Sequence, residues 1–172
     1  PQGLASLVCW AGHLESRGKL WEAGQIVDVA VELSPLDPEL ALHAARIARK
    51  AGDHGRARQL YDEVERLDDG TGGFTRLSRV GRAMISSTAE RDLGRLLREA
   101  LRVGDVEAAA VALEARATAR AARGRRVAAI RDSLAAAVRF RDAADIGRLG
   151  HRVADLLIED RLVHAARRVL EA

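Results

Sequence analysis

Five arginines, Arg116, Arg120, Arg123, Arg125 and Arg126, crowd one short stretch of this sequence. Guanidinium is the side chain best shaped for forked hydrogen bonds to carboxylate or phosphate, so the stretch offers anion binding. A nucleic-acid patch carries the same charge. Yet no stacking aromatic stands nearby and no recognition motif accompanies the cluster, which disfavours nucleic acid as a partner. The other reactive residue types do not assemble. His13, His43, His54, His151 and His164 form no i, i+4 metal pair with a matching carboxylate motif. No Ser, His and Asp set has a recognisable nucleophile context. Gly12 to Lys19 (GHLESRGK) is superficially like a phosphate loop, but its spacing is one residue too long, Leu20 stands where Ser or Thr is needed, and no strand precedes it. Gly70-Thr71-Gly72-Gly73 joins two helical segments and reads as a flexible loop. Asp68-Asp69 and Glu159-Asp160 fall at helix ends or turns, where capping and solvation account for them. These residues predict no catalytic centre, no cofactor and no metal.

The charge is unevenly spread. The chain carries a net +3, yet residues 1–68 hold 8 basic and 11 acidic side chains, and residues 69–172 hold 20 and 14. Of the 28 lysines and arginines only Lys19 and Lys50 are lysine, a bias that suits forked anion contacts and that a GC-rich genome also produces. Hydrophobic residues make up 48% and charged residues 31% of the 172, which excludes a disordered chain. With aromatics at 3%, Ala, Leu and Val must fill the core, as close-packed helices allow and a β-sandwich does not. Proline occurs only at Pro1, Pro35 and Pro38, so the helical segments are uninterrupted. No apolar run approaches the roughly 20 residues of a membrane span. Cys9, the single cysteine, stands between Val8 and Trp10. It allows no internal disulfide, is expected to be buried and inert, and decides nothing between a reducing cytoplasm and a bacterial periplasm. The chain opens on Pro1 rather than Met, which reads as a piece of a longer protein.

A repeat positions these side chains. Gly18, Ala23, Ile26, Val27, Ala30 and Leu33 align with Gly52, Ala57, Leu60, Tyr61, Val64 and Leu67, 34 residues on. That period with helical spacing marks a helix-turn-helix solenoid, whose units bury their apolar faces only against neighbours. Helices are predicted over 4–17, 20–33, 39–50, 55–67, 74–86, 89–103, 106–123, 125–140, 143–159 and 161 to the end. Gly18, Gly52-Asp53, Gly104-Asp105 and Gly124 mark turns, and Ser87-Thr88 an N-cap. Paired, the helices form one all-α domain with repeats over about 4–37, 38–71, 74–108, 111–144 and 146–172. Small or apolar residues recur where helices cross. Ala11, Ala45 and Gly81 share one site. Ala23, Ala57, Leu93, Ile130 and Ala165 share a second. Val27, Tyr61, Leu97, Leu134 and Val169 share a third, and Ala30, Val64, Ala100, Ala137 and Ala172 a fourth. The fourth repeat admits two registers one residue apart. The register that keeps Arg116 and Arg120 out of the core is preferred, because an unpaired buried guanidinium is costly.

These residues resemble the tetratricopeptide repeat family. Trp10-Ala11, Leu14, Gly18, Ala23, Val27, Ala30 and Pro35 follow its order in the first repeat. Ala44-Ala45, Gly52, Ala57 and Tyr61 follow it in the second, where Asp69 replaces the usual closing proline. The later repeats match by apolar pattern and spacing. The resemblance implies a right-handed α-solenoid of about five helix pairs, with the first helix of each pair lining a concave groove. It also implies a role in binding peptides or assembling complexes.

Such a groove would be lined by Val8, Gly12 and Glu15, then Leu42, His43, Arg46, Arg49 and Lys50, then Ser78, Arg79, Arg82 and Ile85. Ala115, Arg116, Ala119 and Arg123 would follow, and then His151 and Leu157. Its middle is basic. Some members of the family grip a C-terminal carboxylate with Lys, Arg and Asn; Arg46, Arg79 and Arg82 sit at comparable places, but this chain contains no Asn. The expected function is a non-catalytic scaffold or adaptor that binds an acidic protein or peptide. Arg46, Arg79, Arg82 and Arg116 would draw the anion, and Leu42, Ile85 and Leu157 would supply apolar contact. Alanine-rich degenerate repeats also resemble, in style, the periplasmic spacers of bacterial envelope and cellulose-type exopolysaccharide export complexes. A sensor domain of a larger regulator is a third expectation. Bacterial cytoplasm and periplasm both stay open. Leu4, Leu7 and Val8 at one end and Val163, Val169 and Leu170 at the other offer no polar cap, which predicts further repeats or self-association.

Overall fold

The computed structural model describes residues 2–70, 72–86, 88–140, 143–159 and 162–171. The expectations placed on Thr71, Ser87, Asp160 and Ala172, and on the side chains of Val163 and His164, lie outside the described residues. Among the described residues the chain holds ten helices and no strand: α1 (Gln2–Ser16), α2 (Leu20–Leu33), α3 (Pro38–Lys50), α4 (His54–Leu67), α5 (Gly73–Ile85), α6 (Ala89–Val103), α7 (Val106–Ala121), α8 (Arg126–Ala137), α9 (Ala143–Glu159) and α10 (Val163–Leu170). The all-helical expectation is thus met, with helix ends displaced by a few residues. None of these helices is long and apolar enough to cross a membrane.

One turn recurs. Gly18, Gly52, Gly104 and Gly124 all adopt left-handed φ, between 73° and 84°. After each, the next residue's N–H donates five residues back: Lys19 to Leu14 at 3.0 Å, Asp53 to Ala48 at 3.0 Å, Asp105 to Ala100 at 2.9 Å and Arg125 to Arg120 at 2.9 Å. A Cβ would strain that backbone, so glycine ends the helix while its carbonyls stay satisfied. At two of these turns the same short link starts the next helix. Asp53 Oδ1 accepts from the Arg56 N–H at 3.0 Å and Asp105 Oδ1 from the Ala108 N–H at 2.9 Å. Asp37 does this for α3, accepting from Glu39 N–H at 2.9 Å, with Pro38 in the first turn where its missing donor costs nothing. The expected cap at Thr88 differs: its hydroxyl makes no capping bond and donates instead to Asp92.

The chain divides into two compact units, Pro1–Ile85 and Ser86–Ala172, so the boundary falls between the two helices of the expected third repeat. In the first unit each helix packs on the next, α1 through α5, and α3 also meets α5. Ala11, Leu14, Ala23, Val27, Ala44 and Ile47 form one cluster. Ala41, Leu42, Ala45, Ala48, Ala57, Tyr61 and Val64 form the next, flanked by Phe74 and Leu77. In the second unit α6 through α10 again pack in succession. Its core is Leu93, Leu96, Leu97 and Ala100 of α6, a largely alanine α7, Ala129 and Ala136 of α8, and Leu149, Val153 and Ala166.

Three expectations are corrected here. In α8 the buried positions are Ala129, Asp132, Ser133 and Ala136, one residue before Ile130 and Leu134, and Leu134 is 47% exposed. The preferred register treated Arg116 and Arg120 as too costly to draw inward. Neither is among the buried residues of α7; both are part-buried and paired with Asp132, which removes the penalty of an unpaired charge. In α10, Ala166 rather than Ala165 is buried. Cys9 is exposed. It lies two residues before Ala11, on the opposite side of α1 from the Ala11–Leu14 face that enters the core.

Candidate functional site

Glu15 of α1 is the hub of the predicted groove in the first unit. Its Oε2 lies 3.3 Å from His43 Nε2, and its Oε1 meets Lys50 Nζ, both partners being on α3. The hydrogen bond from His43 and the Lys50 ammonium lower its pKa to about 2, against a desolvation that opposes them. A carboxyl whose folded pKa is depressed adds stability above its unfolded pKa and loses it as pH falls through the folded value. Wild type should therefore lose stability between about pH 4.5 and about 2, and Glu15→Gln should flatten that part of the profile. Urea midpoints across that window measure it; parallel profiles would refute the assignment.

Glu65 of α4 plays the same part next to α5. It accepts from Arg79 Nε at 3.4 Å and Arg82 Nη1 at 3.1 Å, and Arg82 Nη1 also reaches Asp62 Oδ1 at 2.8 Å. Ser78 is buried and bonds the Thr75 carbonyl at 2.9 Å. Arg46 is exposed, whereas Leu42 packs in the core. Arg49 Nε and the Tyr61 hydroxyl are both buried, with no hydrogen-bond partner among the described residues. Burial pushes the Tyr61 phenol up, with the nearby Arg49 charge opposing.

In the second unit the predicted basic cluster is an ion-pair network. Asp132 is 3% exposed. It takes a fork from Arg116, Nε to Oδ2 and Nη2 to Oδ1, both at 2.8 Å. Arg120 Nη1 adds a third bond at 2.8 Å. Arg120 Nε then reaches Glu90 at 3.1 Å, where Arg123 (3.0 Å) and Arg125 (3.1 Å) converge. These guanidinium bonds, Arg120's foremost, hold the Glu90 carboxyl below its usual pKa. Arg126 pairs with Glu159 at 3.3 Å. Of the last predicted pair, His151 is exposed with its ring bonded to the Gly147 carbonyl at 2.8 Å, and Leu157 is half-buried.

The predicted arginines thus divide. Arg79 and Arg82 in the first unit, and Arg116 and Arg123 in the second, each sit against carboxylates of their own unit, which neutralises much of their charge. A further row of cations has no ion pair among the described residues. Arg91, Arg95, Arg98 and Arg102 lie along α6, all exposed. Their i, i+4, i+7, i+11 spacing was a legible signal for one helix face. Among the described residues no group of three His, Cys, Asp or Glu side chains is placed to hold a metal ion. No protein-family model and no curated protein matches this chain.

Proposed function

We propose that the chain is a tetratricopeptide-like, right-handed solenoid that serves as a non-catalytic scaffold, binding a partner protein or peptide. The recurring turn carries this reading. Four helices end on the same left-handed glycine with the same five-residue closing bond, and alanines such as Ala11, Ala23, Ala45 and Ala57 occupy successive crossings at zero exposure. Units built this way stack through small residues and leave their other faces to a partner. On this reading Arg46 is an exposed cation of the groove, with no ion pair among the described residues.

The test compares bead-bound wild type with Arg46→Glu/Arg82→Glu for proteins retained from the host lysate, with unfolding curves confirming that both fold. A protein held by wild type and lost from the variant is the expected result. Retention by both would remove the concave wall from the reading. Nothing held beyond bare beads would overturn the scaffold itself.

A further inference from the structure

We infer that the exposed face of α6 docks an acidic helical segment of a partner protein, through Arg91, Arg95, Arg98 and Arg102. The inference rests on the scaffold reading and names the surface and the ligand chemistry. At 3.6 residues per turn the four arginines fall within an arc of about 60° and span about 16 Å of the helix. The opposite side of α6 is committed to the core through Leu93, Leu96, Leu97 and Ala100. The row therefore cannot turn inward.

The contrast with the arginines between 116 and 126 carries the argument; Arg131, Arg152 and Arg168 also have no ion pair among the described residues, but each stands singly on a different helix. Arg116, Arg120, Arg123, Arg125, Arg126 and Arg148 each meet a carboxylate of a neighbouring helix or turn. The four on α6 have no ion pair among the described residues. The acids nearest in sequence are turned elsewhere. Glu90 is held by Arg120, Arg123 and Arg125, and Asp92 takes the Thr88 hydroxyl. Glu99, at the edge of the row, has an interaction of its own. Like charges three and four residues apart repel and destabilise a helix, so the row is a cost to the free protein that an anionic partner would relieve.

The geometry favours carboxylates on a helix. Neighbouring side chains of the row stand about 5–6 Å apart, the spacing of acids at i, i+4 on a facing helix. Guanidinium forks match carboxylates, as Arg116 matches Asp132 here. Thr88, Arg91, Asp92, Arg95 and Arg98 line a cleft of about 360 Å³ at the start of the row, where Asp92 is already bonded to the Thr88 hydroxyl. One straight row touches only one line of a winding phosphate backbone, and α6 has no aromatic for a base to stack on.

The probe is a labelled synthetic helical peptide with glutamates at i, i+4, i+7 and i+11, titrated by fluorescence anisotropy. Wild type should bind it, and more weakly as salt rises. Arg95→Gln/Arg98→Gln, both at exposed sites, should weaken binding at least about tenfold, and the glutamine version of the peptide should not bind. Equal binding by that variant, no binding by wild type, or tighter binding of a DNA duplex of equal charge would overturn the inference. Loss in Arg46→Glu/Arg82→Glu with retention in the α6 variant would also overturn it, while leaving the scaffold reading intact.

Discussion

Asp132→Ala is expected to destabilise the second unit by about 3 kcal/mol, because removing one partner of a buried ion pair strands the others. Asp132 accepts three hydrogen bonds at 2.8 Å from Arg116 and Arg120, whose side chains are only 17% and 22% exposed. Without the carboxylate two guanidinium groups lie close together, part-desolvated and mutually repelling. Asp132→Asn keeps the shape and some of the hydrogen bonds but not the charge, and should cost less. Urea unfolding followed by far-UV circular dichroism gives the magnitude, and hydrogen exchange of α7 and α8 peptides assigns it to this unit. A loss below about 1 kcal/mol would mean that the arginines find water as readily as they found Asp132.

Gly81→Ala should be the second large effect, with a sign opposite to intrinsic preference. Alanine is favoured over glycine in a helix interior by about 1 kcal/mol, so at an open site this change would stabilise α5. Here a Cβ would fall inside the van der Waals radii of Tyr61 Cζ and Oη. Tyr61 is fully buried in the α3–α4 cluster and its ring has no free direction to move. Overpacking of this kind costs about 1–3 kcal/mol, which outweighs the propensity gain. The decisive comparison adds Tyr61→Leu. That change alone opens a cavity and destabilises, but in the Gly81→Ala background it makes room, so the two should combine to less than the sum of their separate effects. Strict additivity would show that Tyr61 and Gly81 do not share the contact.

The helices were legible because alanine-rich, proline-poor segments with glycine punctuation leave few alternatives. The left-handed glycines at 18, 52, 104 and 124 all stand where the sequence broke. The buried faces of α2 and α4 were also legible, since Ala23, Val27, Ala57 and Tyr61 are apolar and buried. What failed in α8 was a rule about polarity. Asp132 and Ser133 look like surface residues, so the apolar pattern slid to Ile130 and Leu134. Only the three-dimensional pairing with Arg116 and Arg120 makes an aspartate a core residue. The same blindness affected the site. Sequence order reveals that arginines cluster between 116 and 126, but not that Asp132 and Glu90 lie within reach of them. Conversely, the α6 row was regular in sequence and drew no notice because a charged helix face is the ordinary condition of a surface.

Anyone trimming this chain for expression meets a limit set by α7. Ala108, Ala109, Ala110, Ala112, Leu113, Ala115 and Ala117 are all buried, which leaves that helix little polar side, and it is covered by α6 on one flank and α8 on the other. Alanine methyls contribute little transfer free energy each, so α7 depends on both neighbours being present. A cut placed at either adjoining turn, however natural it looks as a repeat boundary, uncovers a small-residue face that nothing else in the piece can shield. The shortest useful length of the second unit keeps α6, α7 and α8 on one polypeptide.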